Sequence, residues 1–557
     1  MSRRLLDAIK RLVPIGLLCA LLLWCGAGHA AGVNANPCAY QPIDLSKYGM
    51  KPFVDAPVLR AGVDKMVLDV KYTNGTEIAG CPVHLRSYNG GLVGPTLVAK
   101  PGDTLDITLN NALEPGPVEM LDCNGSEEHM MHMMSGPEVY DTTNLHTHGL
   151  HVSPSGCQDN VFLSIKPKQA MHYKIEIPAD QPPGTFWYHA HLHGSTAVQV
   201  SSGVEGAIII EGGLDQVPAI KAAPQRIFLL QQISYNEQGE IPSLPLPSWS
   251  KSQREITVNG QIAPVIEMRP GEIQRWRFIH GGVRETIKLY VESPKKAHPP
   301  LYEIATDGLA LGRLDKWQNL ELDPGYRSDV LFQAPTAEQG RYFLYSGAIP
   351  AGQALEFLDL PASDKLTAKA LAAAQDRQLI AVIDVKGEPV AAKLPTGAEL
   401  APYAPYKRIA DAELTGKKQT VELFIEAREC NGPGGECLPC PKGQVCKAAF
   451  MVDNHQYPAI PVRQLQRDKP SEWVLSTQGT QEHPFHIHVN AFQLTRKGPT
   501  GADEVVWKDT LMVHGADPVK YRTIRSRYED FTGKFVLHCH ILPHEDEGMM
   551  QAVEILP

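Results

Sequence analysis

No apolar stretch of this 557-residue chain is long enough to cross a bilayer. The best run, Ile15 to Trp24, has about half of the roughly 20 residues that a spanning helix needs, which argues against a membrane anchor. Arg3, Arg4, Lys10 and Arg11 precede that run and Gly28-His29-Ala30 follows it as a small-residue cleavage site, so residues 1–30 read as a signal peptide. Ser2-Arg3-Arg4 resembles the start of a twin-arginine signal, but Asp7 departs from that pattern, so the export route stays open. Bulky Trp24 before Cys25 argues against lipidation there. An excess of basic charge is also missing. Removing residues 1–30 takes away four basic residues and one acidic one, and moves the formal charge from −10 to −13. An acidic surface argues against a nucleic-acid partner and suits cations or weakly charged phenols. Long amphipathic helices are scarce too, while short alternating runs such as Thr104 to Leu109 recur between Gly- and Pro-rich turns. That pattern predicts all-β sandwiches, three or four domains of roughly 150 residues.

Cysteine is not scarce. Cys19 and Cys25 lie in the signal and Cys539 sits in a histidine string, which leaves eight. An even number in an exported chain points to disulfides. Cys38, Cys81, Cys123 and Cys157 fall near the N-terminus and Cys430, Cys437, Cys440 and Cys446 near the C-terminus, so two bridges within each group is the simplest partition. Four cysteines spaced like the second group also suit zinc, but an oxidising compartment favours a stapled loop.

Histidine spacing carries the chemistry. Near the C-terminus stand His538-Cys539-His540, His544 and Met549. On a β-strand, His538 and His540 point one way and Cys539 the other. Cys539, His544 and Met549 then supply a thiolate, an imidazole and a weak axial thioether towards a blue-copper site, and the flanking histidines face a second metal centre. Composition alone gives roughly one His-x-His triplet; the chain has five, at His146/His148, His189/His191, His191/His193, His486/His488 and His538/His540. Each presents both imidazoles on one strand face. One pair from each of four strands gives eight imidazoles, enough for three coppers.

These strings, His146-Thr-His148-Gly149, Trp187-Tyr188-His189-Ala190-His191, His483-Pro484-Phe485-His486-Ile487-His488 and His538-Cys539-His540, resemble the four copper signatures of the multicopper oxidase family, of laccase and metallo-oxidase type. The resemblance implies three consecutive cupredoxin-like Greek-key β-sandwich domains. It implies four coppers per chain. His483, Cys539, His544 and Met549 would hold the type 1 copper, His146 and His486 the type 2 copper. His148, His189, His191, His488, His538 and His540 would hold the type 3 pair. It implies one-electron oxidation of a substrate, through an exposed His483 or His544, coupled to reduction of dioxygen to water. Asp159 and Glu545 match the family's proton-delivery carboxylates; ordinary loop acids are the other reading. Met549 as axial ligand implies a low-to-moderate potential.

The first domain is expected at 37–215, with the first two strings. The second, at 216–395, has no copper motif and reads as a spacer. The third, at 396–557, carries the remaining strings, so the cluster belongs at the interface of domains one and three. Leu360 to Thr415 is Ala-, Pro- and Lys-rich and reads as a linker. His129-Met130-Met131-His132-Met133-Met134 offers soft ligands for Cu(I), or else fills a packing gap. The expected reductant is a phenol or a metal ion such as Cu(I). The expected protein is a periplasmic or secreted monomer without stable membrane insertion. A copper nitrite reductase would lack the eight cluster histidines. A non-enzymatic copper carrier or electron-transfer protein leaves them unexplained.

Overall fold

The run Thr104–Asn111 turns Leu105, Ile107 and Leu109 inward and leaves Thr104 and Asp106 exposed, the alternation of a strand with one buried face. It pairs antiparallel with Gln169–Glu176 and parallel with Met66–Tyr72. The computed structural model describes residues 36, 38–39, 49–123, 139–242, 253–348, 376–479, 481–515 and 521–557. The proposed signal segment 1–30 and the Met/His string 129–134 lie outside the described residues.

The architecture is all-β. Strands between 58 and 210 form two five-stranded sheets and a small two-stranded one, those between 225 and 385 a six- and a five-stranded sheet, and those between 419 and 556 a seven- and a five-stranded sheet. Each pair of sheets encloses its own apolar core: Leu68, Leu105 and Ile208 in the first, Phe278, Leu289 and Ile383 in the second, Trp473, Phe485 and Val553 in the third. Each such side chain contributes about 1.5–3 kcal/mol when fully buried.

The expected linker needs correcting. Gln378–Val385, inside Leu360 to Thr415, is a strand that pairs with Val265–Met268 and Gly340–Ser346 in the second unit. Its continuous apolar run, Leu379 to Ile383, is what a strand buried on both faces looks like, and Ala-rich flanking sequence masks it. After it, Thr396 caps Gly397–Leu400 in a reciprocal box with Glu399.

Ionic contacts tie the three units together. Arg275 and Arg277 of the second reach Asp215, and Arg277 reaches Thr185 of the first at 2.8 Å. Arg313 and Arg496 bridge the second and third through Glu504, Glu303 and Asp315. His151 of the first meets Asp530 of the third at 2.9 Å. The disulfides are Cys38–Cys81, Cys123–Cys157, Cys430–Cys437 and Cys440–Cys446, two in each group. The second group is therefore stapled, not a zinc site. Among the described residues Cys539 is the one free cysteine, and it is buried.

Candidate metal centre

Strand Gly533–Cys539 lies between Glu482–Ile487 and Met550–Leu556, with Phe485 opposite Cys539 and His486 opposite His538. Period-two alternation sends Cys539 into the core of the third unit and His538 out of it. The Cys539 Sγ stands 3.6 Å from His483 Nδ1 and 3.7 Å from His544 Nδ1. First-row ions bind nitrogen at ~2.1 Å and sulfur at ~2.3 Å, which separates N and S by ~3.6–3.8 Å at tetrahedral to trigonal angles. The three atoms match that spacing. Met549 is buried in the same core as Cys539, and its carbonyl accepts from the Cys539 N–H at 3.1 Å. Met550, opposite His538, packs instead on Val161 and Val536.

The expectation that His483 or His544 is exposed is wrong: both are fully buried. His483 Nε2 donates to Gln481 Oε1 at 3.1 Å, and the Gln481 amide also bridges the backbone of Ile425. Phe450 lies against the His544 ring. Ile425, which anchors Gln481, and Phe450 belong to strands Gln419–Glu429 and Ala448–Val452, remote in sequence from both histidines.

On the other side of the strand, eight buried imidazoles converge from four strings. His191, His488 and His538 bring their Nε2 atoms within 3.1–3.3 Å of one another. His148, His189 and His540 form a second group, with His540 Nε2 3.3 Å from His148 Nδ1. His146, His148 and His486 form a third. Burial and neighbouring imidazoles hold His146 and His191 well below the usual histidine range, and burial takes His189 to about 3 and His486 to about 4. All are neutral at pH 7, the form that ligates.

The outer nitrogens are fixed. His146 Nδ1 meets Asp159 at 3.0 Å, His189 Nδ1 donates to the Ala190 carbonyl, and His486 Nδ1 donates to the Asp509 carbonyl at 2.8 Å. The inner Nε2 atoms of these three histidines are buried without a hydrogen-bond partner among the described residues. An unpaired buried polar atom costs about 1–3 kcal/mol, and a metal ion removes that cost. His193, the overlapping fifth pair's second member, packs on Tyr457 and joins none of the groups.

Asp159 also accepts from the Thr147 N–H at 2.8 Å, and burial pushes it up to about 7. Glu545 lies 3.4 Å from His191 Nδ1 and 3.3 Å from His538 Nδ1, and Thr196 donates to it at 3.2 Å. Burial, then the neighbouring Asp546 charge, raises it well above the usual range. Asp546, Asp509, Gln481 and Thr196 carry no spacing signal in the sequence. The unit expected to be a spacer supplies no imidazole to these groups, yet Gly325 lies so close to His540 that a Cβ would meet the ring at 2.9 Å.

Sequence profiles of the family described as Multicopper oxidase match residues 138–214 and 439–557, the two segments that hold these groups. A laccase of Haloferax volcanii is 25% identical over 83% of this chain and 76% of its own length. A laccase of Bacillus subtilis is 23% identical over 85% and 90%. The profiles and the laccase relatives together support the multicopper oxidase family for this chain. Multicopper oxidases share its fold. The Campylobacter jejuni enzyme, described as a metallo-oxidase, superimposes with a TM-score of 0.66 at 22% identity, covering 93% of this chain and 98% of that one. The Aquifex aeolicus McoA structure gives 0.65 at 18% identity, covering 91% and 99%. The chain is thus an oxidase built from cupredoxin domains, and its thiolate and imidazole groups fit copper. Among the described residues no helix is long and apolar enough to cross a membrane.

Proposed function

We propose that this protein is a laccase-like multicopper oxidase, exported to an oxidising compartment, that couples one-electron oxidation of a phenol or metal ion to reduction of dioxygen to water. Its type 1 site is His483, Cys539, His544 and Met549; its type 2 ligands are His146 and His486; its type 3 ligands are His148, His189, His191, His488, His538 and His540. Four bound coppers supply the redox chemistry, one-electron uptake at the thiolate and four-electron reduction of dioxygen at the cluster. The observation that carries the reading is the single strand Gly533–Cys539. It turns Cys539 to one group and His538 to the other, so one short piece of backbone joins the two.

The residues around the sites support a division of labour. Gln481 and Phe450 cover the imidazoles of the thiolate site, so a reductant passes its electron across these side chains without touching the metal. Glu545, between His191 and His538, and Asp159, at His146, are the carboxyls placed to deliver protons. Burial keeps water and stray proton exchange out. The four disulfides support export. A copper carrier or electron-transfer protein needs only the thiolate group and leaves eight converging imidazoles without a use. Dioxygen uptake by the copper-loaded protein with a phenol, Cu(I), Fe(II) and Mn(II) in parallel tests the reading. Full copper loading with no uptake for any donor would overturn it.

A further inference from the structure

The second unit, which supplies no ligand, packs Gly325 against His540 and sends one guanidinium to a residue that holds two cluster histidines. Arg327 is fully buried, and its Nη1 donates to Asp509 Oδ1 at 2.8 Å while Nη2 donates to Asp509 Oδ2. The fork is itself held from behind: Nη1 donates to the Gly325 carbonyl and Nη2 to the Asp307 carbonyl, each at 2.9 Å. Asp307 in turn accepts from the N–H groups of Asp509 and Thr510 and from Lys508 Nζ at 3.0 Å. Asp509 thus has no freedom to rotate.

Its two oxygen types then each meet a cluster histidine. The carboxylate Oδ1 accepts from His148 Nε2 at 3.1 Å, and the main-chain carbonyl accepts from His486 Nδ1 at 2.8 Å. These contacts set opposite tautomers, with the proton on Nε2 of His148 and on Nδ1 of His486. His148 Nδ1 is left facing His540, and His486 Nε2 is left facing the interior. Gly149 completes the arrangement: a Cβ there would stand 2.2 Å from Arg327 Nη2 and 2.7 Å from Asp509 Oδ2. The glycine after the first histidine pair makes room for this ion pair.

We propose that Arg327 is a positioning residue for the copper cluster: by clamping Asp509 from the second domain, it fixes the tautomer and orientation of His148 and His486 and so sets how tightly the cluster holds copper. The proposal rests on the ligand assignment above. It requires the planar fork and not only a positive charge, because one ammonium cannot hold both carboxylate oxygens in plane. Losing an outer partner of a metal-bound histidine typically weakens metal affinity 10–100-fold.

The test uses the full-length, copper-loaded protein and its Arg327→Met and Arg327→Lys variants, with Arg275→Met as control. Arg275 is equally buried and ion-paired, with Asp215 and Asp329, but contacts no cluster histidine. Copper per chain is measured against a competing chelator, beside the blue absorbance and the paramagnetic signal of the type 2 copper. Both Arg327 variants are expected to keep the blue absorbance, to lose at least ten-fold in cluster affinity and to show an altered type 2 signal. Arg275→Met is expected to match the wild type in all three. Wild-type affinity and signal in Arg327→Lys would overturn the proposal, as would an equal copper loss in Arg275→Met. If Arg327→Met does not fold, Arg327→Lys alone decides. A wild-type protein without a type 2 signal would instead overturn the ligand assignment.

Discussion

Replacing Glu545 by Gln removes a proton and almost no volume. The carboxyl lies 3.3–3.4 Å from the outer nitrogens of His191 and His538 and takes a hydrogen bond from Thr196. Burial and the neighbouring Asp546 raise it well above the usual carboxyl range, which favours the protonated form that a proton donor needs. A carboxamide keeps the shape and the Thr196 contact but has no acidic proton at any pH. Positioned acid–base groups contribute typically 10²–10⁴-fold, so the dioxygen-reducing half-reaction should slow by about 100-fold or more, about 2.7 kcal/mol in barrier. Reduction of the blue centre should be unchanged, because Cys539 and His483 keep their neighbours. Stopped-flow absorbance separates the two: anaerobic bleaching by a reductant reports the first half, and return of the blue colour on mixing with dioxygen reports the second. Reoxidation of Glu545→Gln at the wild-type rate would refute the proton-donor role and leave Glu545 as a buried structural acid.

Met549→Leu should keep the blue centre and raise its reduction potential, since loss of a weak thioether disfavours Cu(II); Met550→Leu, whose side chain packs on Val161 and Val536, should leave the potential unchanged in the same potentiometric titration. His151→Gln should cost stability in a pH-dependent way. Burial opposes the His151 charge, but the pair with Asp530 outweighs it and raises the group above 6.5, so the pair contributes fully below pH 6.5. The difference in denaturation midpoint between wild type and variant should therefore shrink as pH rises through the folded value, and a difference independent of pH contradicts this. Replacing Met130, Met131, Met133 and Met134 with Ser should reduce cuprous oxidation more than phenol oxidation if the string collects Cu(I). Parallel losses with a lowered melting temperature indicate packing alone.

The convergence of imidazoles was legible because strand geometry ties spacing to direction: four of the five His-x-His pairs turn both rings to the cluster, His191/His193 being the exception, and metal chemistry restricts which residue types serve. The sandwich fold was legible for the same reason, through runs such as Thr104–Asn111. What stayed hidden has no local period. Arg327 and Asp509 stand 182 residues apart; the first opens a strand and the second sits in the bend between two, and neither position carries a pattern. Gln481 covers His483 only because Ile425, from another strand, anchors its amide. The strand Gln378–Val385 was obscured because its Ala-rich surroundings lower the contrast that marks a strand edge. Burial of His483 and His544 likewise depends on which distant strands lie over them, which spacing within one string does not encode.

The central claim is that one strand serves two copper sites through opposite faces, with Cys539 alone serving the first. Cys539→Ser tests it most directly, by optical absorbance and copper content of the same sample. The account predicts complete loss of the intense blue thiolate-to-copper band, with the copper held by the eight imidazoles retained at about three per chain. A persisting blue band would contradict the assignment of Cys539, and loss of all copper with the protein still folded would contradict the separation of the two sites.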